Sequence, residues 1–128
     1  MQTKILIVED EFLVALHLKM MLTRLGFEII GIAPDMQSAY SFGEDQPDIA
    51  LVDVNLRDGA TGPKIGEKLA REYGAAVMFV TANPGQIFPV PSGPLGVMSK
   101  PWNDNEIGLV LDYLVSHLEG KTAVPPPA

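Results

Sequence analysis

Short apolar segments alternate with helix-forming segments five times along this chain, and no other feature limits its fold as strongly. Three of the apolar segments, Lys4–Val8, Asp48–Asp53 and Ala76–Thr81, are rich in aliphatic residues and end at or next to polar ones. Such runs are typical of strands buried on both faces of a parallel sheet. Their alternation with helices predicts an α/β domain in which helices cover both faces of one parallel sheet.

The remaining elements give weaker signals. Two further strands are predicted at Phe27–Ala33 and Leu95–Ser99. Helix signals predict four helices, over residues 11–25 before Gly26, 35–43 with Asp35 as N-cap, 61–73 before Gly74, and from Asn103 to Gly120. The last helix starts with the spacing of a capping box, since Glu106 follows Asn103 by three residues. Its apolar residues recur on one face at helical spacing: Ile107, Val110, Leu111, Leu114 and Leu118.

The first helix carries more apolar residues than one buried face requires. We interpret them as core and helix-face residues, although a methionine-rich surface can also receive partners. They are Phe12, Leu13, Leu16, Met20 and Met21. Trp102, next to the start of the last helix, is interpreted as a partly buried anchor.

The segment between Thr81 and Lys100 departs from the alternating pattern. It contains proline at positions 84, 89, 91 and 94 and glycine at positions 85, 93 and 96. An interior proline costs a helix about 3 kcal/mol, so a full helix is excluded here. We predict that the fourth helix of the pattern is short, broken or replaced by a loop.

Composition excludes several functions. Nine Lys and Arg residues against 16 Asp and Glu residues give a formal charge of −7. That balance opposes binding to nucleic acid and to anionic membrane surfaces. The chain has no cysteine, which excludes disulfides and thiolate chemistry, and His17 and His117 are too few for a histidine-rich metal site.

The length predicts one domain, over residues 1–120, followed by a disordered proline-rich tail at residues 121–128. Acidic residues follow Ile5–Val8 at once, so no signal peptide is predicted. The apolar stretches are far shorter than the roughly 20 residues of a membrane span. We therefore expect a soluble, cytoplasmic protein.

Polar residues stand where the predicted strands end. Glu9 and Asp10 follow the first strand, Asp53 ends the third, Thr81 ends the fourth, and Lys100 follows the fifth. Ligands of open α/β sheets bind beyond the carboxyl ends of the strands, so these side chains are expected to meet in one cleft. Crowded carboxylates repel one another, and Mg²⁺, which prefers oxygen ligands, would relieve that repulsion.

This set of groups is suited to phosphoryl transfer. A carboxylate that attacks phosphorus forms an acyl phosphate. Mg²⁺ and the ammonium group of Lys100 would neutralise the phosphoryl oxygens, and the hydroxyl of Thr81 could donate a hydrogen bond to them.

These motifs resemble the receiver domain of bacterial two-component response regulators. The resemblance rests on four motifs in order, Val8-Glu9-Asp10-Glu11, Asp53, Thr81-Ala82 and Lys100-Pro101, and covers residues 3–119. It implies a flavodoxin-like (CheY-like) fold, with five parallel strands in the order 2-1-3-4-5.

The resemblance also implies roles for individual residues. Asp53 matches the phosphoacceptor, Thr81 the switch hydroxyl, and Lys100 the lysine that pairs with the phosphoryl group. Pro101 matches the cis-proline that orients this lysine, and Ala82 the small residue that leaves room for the phosphoryl group.

The resemblance further implies a Mg²⁺ site. Asp10 matches the main metal-binding acid, Glu9 its partner, and Asp53 a shared ligand. Asn55 matches the position whose backbone carbonyl binds the metal. The side chains of Asn55 and Asn83 stand at the positions that tune hydrolysis of the phosphoryl group in this family.

Two positions depart from the common family pattern, and one segment resembles a subset of the family. Arg57 stands where family members often have proline, and Val97 where they have an aromatic switch residue, so coupled Thr–aromatic rotation is not available. The segment Asp53–Gly59 is similar to receivers that are paired with HWE-type kinases and to receivers of general stress-response regulators.

Because the sequence ends soon after Gly120, we expect a stand-alone receiver, and the resemblance implies a signalling domain rather than an enzyme. It would accept a phosphoryl group from a sensor histidine kinase or phosphotransfer protein, and act on a downstream protein or serve as a phosphate sink. Self-association is left open. One alternative is a pseudo-receiver that only binds partners. Another, a haloacid-dehalogenase-type hydrolase, is disfavoured because that chemistry wants a second acid where Asn55 stands, and an N-terminal strand for the nucleophile.

Overall fold

The computed structural model describes residues 2–120, in which five parallel strands form one sheet. The strands are β1 (Lys4–Val8), β2 (Glu28–Ala33), β3 (Ile49–Val52), β4 (Ala76–Thr81) and β5 (Gly96–Ser99). Their order in the sheet is β2-β1-β3-β4-β5, which confirms the predicted CheY-like topology. The predicted tail at residues 121–128 lies outside the described residues.

Four helices connect and flank the strands. They are α1 (Phe12–Arg24), α2 (Met36–Gly43), α3 (Gly62–Arg71) and α4 (Asp104–Leu118). Between β4 and β5 there is only a one-turn 3₁₀ helix, Pro84–Ile87. The predicted interruption is therefore confirmed, and its cause is the density of proline and glycine, which removes backbone donors and leaves no run long enough for a helix.

The sheet separates two apolar cores. Because side chains alternate along a strand, Ile5 and Ile7 of β1 face α1 and α4, whereas Leu6 and Val8 face α2 and α3. These four side chains are at most 1% exposed. A strand buried on both faces is apolar at nearly every position, which explains why the sequences of β1, β3 and β4 are continuous apolar runs.

Side-chain caps fix the starts of α2 and α4. Asp35 accepts a hydrogen bond from the backbone N–H of Ser38 at 3.0 Å. Asn103 accepts one from the N–H of Glu106 at 2.8 Å, and its amide donates to the Glu106 carboxylate at 3.1 Å. Each cap satisfies a backbone donor that has no partner within the helix.

Two apolar surfaces depart from the prediction. On α1 the buried residues are Ala15, Leu18, Met21 and Leu22. Of the other residues interpreted as core or helix face, Phe12 is 70%, Leu13 77%, Leu16 36% and Met20 54% exposed. In α4, Leu118 is 40% exposed. The other members of its apolar face, Ile107, Val110, Leu111 and Leu114, are buried, so the predicted face is buried except in its last turn.

Gly62 lets the start of α3 approach the end of β3. Its N–H donates to the carbonyl of Val54 at 3.0 Å. A Cβ atom at Gly62 would lie 2.0 Å from the carbonyl oxygen of Asp53 and 2.6 Å from the Cα of Val54. Both neighbours are backbone atoms, which cannot move away as a flexible side chain could. The absence of a side chain at position 62 therefore helps to position Asp53.

We predict that Gly62→Ala lowers the free energy of unfolding by about 1–3 kcal/mol, since the added methyl group forces backbone apart. Gly108→Ala is the matched control, because its Cβ would meet nothing within 4 Å and it lies inside α4. It should stabilise the protein by about 0.5–1 kcal/mol. Urea unfolding of both variants measures the difference, and equal stabilities would contradict the packing described here.

Candidate functional site

Three carboxylates meet at the carboxyl-terminal edge of the sheet. Glu9 follows β1 and Asp53 follows β3, and both are buried, at 4% and 8% exposure. Asp10 is exposed. Each of the three offers a carboxylate oxygen, and these oxygens all lie within 4.8 Å of one another. The structure therefore brings together all three acidic side chains that the sequence analysis assigned to a metal site.

Backbone hydrogen bonds between neighbouring strands hold the residues of this edge in register. The N–H of Glu9 donates to the carbonyl of Ala33, and that of Asp53 to the carbonyl of Val8, each at 2.9 Å. The N–H of Lys100 donates to the carbonyl of Thr81 at 2.9 Å. The sheet pairing thus continues one residue past each strand and fixes where the functional side chains begin.

Lys100 joins the two buried carboxylates. Its Nζ donates to Oε1 of Glu9 at 2.5 Å and to Oδ2 of Asp53 at 3.0 Å. The lysine side chain is only 14% exposed. The Lys100–Pro101 peptide bond is cis, as the family resemblance implies.

The site holds more negative than positive charge. Burial raises the pKa of Glu9 to about 7, and the nearby charge of Asp53 adds to this, although the hydrogen bond from Lys100 opposes it. Burial by itself would lower the pKa of Lys100, but its hydrogen bonds to Glu9 and Asp53 outweigh that effect and raise it. Lys100 therefore stays charged between two carboxylates, with Asp10 beside them, so the site favours a proton on Glu9 or an additional cation.

The carboxylate donor set fits a hard divalent cation. Mg²⁺ binds oxygen ligands, usually one or two carboxylates together with water and phosphate oxygens. The oxygens of Glu9, Asp10 and Asp53 are close enough to serve one ion, and exposed Asp10 leaves that ion open to solvent.

Thr81 lies at the end of β4 and is 1% exposed. Its Oγ1 accepts a hydrogen bond from the N–H of Asn83 at 3.1 Å. That bond uses a lone pair of the oxygen and leaves the hydroxyl hydrogen available for another acceptor. Val97 lies beside this region on β5, paired in register with Phe79, and is half-buried.

Asn55 has a partner that the sequence analysis did not identify. Its side-chain amide and that of Gln86 exchange two hydrogen bonds, each 3.0 Å long. Gln86 lies 31 residues away in the 3₁₀ helix, in a segment for which only a break in helix was predicted. A lone glutamine in a proline-rich segment gives no sequence signal for such a pair.

An apolar groove of about 530 Å³ adjoins the acid cluster. It is lined by Leu13, Val14, His17, Ala82, Lys100, Pro101 and Trp102. Trp102 is half-buried and packs against the core beneath α1 and α4, in keeping with its interpretation as an anchor. The groove joins the lysine of the site to the exposed apolar face of α1.

Comparison with known proteins identifies the family. The family model described as "Response regulator receiver domain" matches residues 5–112. The chain belongs to this receiver family. The resemblance proposed from the strand-end residues is therefore confirmed, and receiver domains are signalling domains rather than classical enzymes.

Individual relatives are longer than this chain. It is 30% identical over 114 residues to the phyllosphere-induced regulator PhyR of Methylorubrum extorquens. That match covers 87% of this chain and 43% of the relative. It is 29% identical over 127 residues to the transcriptional regulatory protein PdtaR of Mycobacterium tuberculosis, covering 94% of this chain and 60% of that protein. The chain thus spans about half the length of these curated relatives.

A solved structure supports the same fold. The solution structure of the Erythrobacter litoralis PhyR receiver domain superimposes with a TM-score of 0.77 at 25% sequence identity. The match covers 99% of this chain and 97% of that domain. Within residues 2–120, no helix is both long and apolar enough to cross a membrane.

We predict that, without metal, the free energy of unfolding falls as the pH rises through the pKa of Glu9. The folded-state pKa of Glu9, about 7, lies above the ordinary glutamate value of 4.5, so the folded protein binds the proton more tightly. The stability gained from that proton is present below about pH 4.5 and is lost by about pH 7, a loss on the order of 1–3 kcal/mol.

Urea unfolding in EDTA between pH 5 and pH 8 measures this loss. Glu9→Gln should remove most of it, whereas Glu44→Gln, which changes an exposed carboxylate at the end of α2, should retain it. Equal pH slopes in the native protein and Glu9→Gln would contradict the burial argument.

Proposed function

We propose that this protein is a Mg²⁺-dependent phosphoryl acceptor, which receives a phosphoryl group on Asp53 from a histidine kinase or a phosphotransfer protein. The observation that carries the proposal is the contact of one lysine, Lys100, with the carboxylates of both Glu9 and Asp53, beside Asp10. Burying two acids beside one lysine costs free energy, because each charge must be desolvated. The proposed phosphoacceptor function accounts for why these charged groups are buried together.

In the proposed step, a carboxylate oxygen of Asp53 attacks the phosphorus of a phosphohistidine. The phosphorus–nitrogen bond breaks, its electron pair stays with the histidine, and an acyl phosphate forms on Asp53. Lys100 already contacts Asp53 and can pair with a phosphoryl oxygen. Thr81 can donate its hydroxyl hydrogen to another phosphoryl oxygen, because the N–H of Asn83 occupies only a lone pair of the Thr81 oxygen.

Glu9, Asp10 and Asp53, with the backbone carbonyl of Asn55, would hold Mg²⁺. When bound, this ion would neutralise part of the negative charge on the phosphoryl oxygens. The cation would also balance the negative charge of Asp53, which adds to the effect of burial in raising the pKa of Glu9. The protein's own contribution is to hold the acids in register at the ends of β1 and β3.

The exposed face of α1 supports a docking role toward the phosphoryl donor. Phe12, Leu13 and Met20 are each more than half exposed, and Leu13 also lines the groove that reaches Lys100. An apolar surface next to the acceptor allows a donor protein to place its histidine near Asp53 without contacting the acids first. The proposal places the reaction in the cytoplasm, where the ATP that supplies histidine kinases is made.

Readout would use the segment after β4, through contact with a downstream protein, or the domain would act as a phosphate sink. Val97 replaces the aromatic switch residue, and a 3₁₀ turn replaces the helix that commonly follows β4 in this family. The loops around Thr81 are therefore the part of this site that can differ between the two phosphorylation states.

We predict that acetyl phosphate and Mg²⁺ add one phosphoryl group to the native protein, observed by intact-mass spectrometry. Asp53→Asn removes the nucleophile while keeping the side-chain shape, so it should gain nothing. Asp112→Asn is the matched control, since Asp112 is an exposed acid on α4 and its variant should be labelled like the native chain. Labelling of Asp53→Asn would place the acceptor elsewhere and contradict the proposal.

Absence of labelling in every variant has its own test. Beryllofluoride mimics a stable phosphoryl group, and its binding is followed by the fluorescence of Trp102, which lies in the groove beside Lys100. A Mg²⁺-dependent change in fluorescence in the native protein, lost in Asp53→Asn, indicates a short-lived phosphoryl group. No change indicates a pseudo-receiver that only binds partners.

A further inference from the structure

Gln86 connects the segment after β4 to the loop after β3. Strands β3 and β4 are neighbours in the sheet, and Asp53 and Thr81 lie at their carboxyl ends. Asn55 is two residues beyond Asp53, and Gln86 is five beyond Thr81. The two hydrogen bonds between the amides of Asn55 and Gln86 therefore join the loops that flank the acceptor.

The pair is reciprocal, which makes it specific. The amide nitrogen of Asn55 donates to Oε1 of Gln86, and the amide nitrogen of Gln86 donates to Oδ1 of Asn55, both at 3.0 Å. Each amide uses one donor and one acceptor at once. Replacing either side chain with alanine removes both bonds.

The 3₁₀ helix has few other attachments. In Pro84–Ile87 only Gln86 has a polar side chain, so it alone can make side-chain hydrogen bonds there. Ile87, 3% exposed, anchors the segment in the core, but Phe88, directly after it, is 60% exposed. Among residues 84–88, Ile87 is the one buried side chain, and the amide pair supplies the side-chain hydrogen bonds.

We propose that Gln86 is a positioning residue that holds the cleft above Asp53 closed through its amide pair with Asn55, and so slows hydrolysis of a phosphoryl group on Asp53. The inference rests on the proposed function and adds a control of the lifetime of the phosphorylated state. In the hydrolysis step, a water oxygen attacks phosphorus and the bond between phosphorus and the Asp53 oxygen breaks. Inorganic phosphate leaves, and the carboxylate of Asp53 is restored.

The mechanism is restriction of water access. A phosphoryl group on Asp53 that contacts Thr81 lies between the two loops that the amide pair joins. While the pair is intact, the loops cannot separate without breaking both hydrogen bonds. When it is broken, the turn keeps the packing of Ile87 but loses its side-chain hydrogen bonds to the loop after β3, and the loops open more often to admit water.

The test is the decay of the phosphorylated protein. The full chain is labelled with acetyl phosphate and Mg²⁺, the donor is removed, and loss of the phosphoryl group is followed by intact mass. Gln86→Ala should shorten the lifetime about threefold to tenfold, since the two lost hydrogen bonds are exposed to water and together contribute about as much as one typical net hydrogen bond. Gln37→Ala is the matched control, because Gln37 is an exposed glutamine on α2, and its lifetime should equal that of the native protein.

A double-mutant cycle shows whether the two amides act as one unit. Once Asn55 is alanine, adding Gln86→Ala should change the decay rate no further, since the first substitution already removes both bonds. The inference is overturned if Gln86→Ala decays within twofold of the native rate. It is also overturned if the two single effects multiply in the double variant.

Hydrogen exchange in the unphosphorylated protein separates failure of this inference from failure of the proposed function. The N–H groups of Asn83 and residue 86 donate within the segment, to Thr81 and to the carbonyl of Asn83, respectively. In Gln86→Ala, both N–H groups should exchange faster than in the native protein. Unchanged exchange rates would overturn the inference that the amide pair holds the cleft closed. If exchange accelerates but no form of the protein accepts phosphate, the proposed function fails, and the lifetime control fails with it.

Discussion

The ammonium group of Lys100 lies between the carboxylates of Glu9 and Asp53. This contact forms only because the sheet brings the ends of three strands together. The three residues follow β1, β3 and β5, so all these strands must end at the same edge. Backbone pairing that continues to Glu9, Asp53 and Lys100 sets their heights to within one residue. A slip of one residue in any of these strands would turn its functional side chain to the other face of the sheet.

The same contact explains why the site is charged but not balanced. One lysine serves two buried acids, with exposed Asp10 beside them, and the raised pKa of Glu9 is the result of their burial and mutual repulsion. The fold tolerates this because the surrounding core supplies stability from apolar burial on both faces of the sheet. The excess charge is the physical basis of the proposed binding of a cation, and of a phosphoryl group held by that cation.

Much of the fold could be predicted because its signals are local. Strands buried on both faces read as apolar runs, and the caps Asp35 and Asn103 each act within three residues along the chain. The strand order came from the family resemblance, since periodicity does not specify which strands are neighbours. The convergence of Glu9, Asp53 and Lys100 could be expected from their positions at strand ends.

Other features depend on packing between distant segments and were not predictable. The exposure of Phe12 and Leu13 follows from which side of α1 meets the sheet, and α1 has apolar residues on both sides. The pairing of Asn55 with Gln86 depends on the path of an irregular turn whose sequence indicates only that a helix is interrupted. The site thus combines acids whose position the strands dictate with a loop whose position only the tertiary structure reveals.

The central claim is that the excess of carboxylates over Lys100 forms a Mg²⁺ site. Calorimetric titration of the native protein with Mg²⁺ at pH 8, where Glu9 is ionised, tests it most directly. The account predicts binding of one ion, and loss of that binding in Asp10→Asn, which removes an exposed ligand and leaves the buried ion pairs intact. Absence of binding in the native protein, or equal binding in Asp10→Asn, would contradict it.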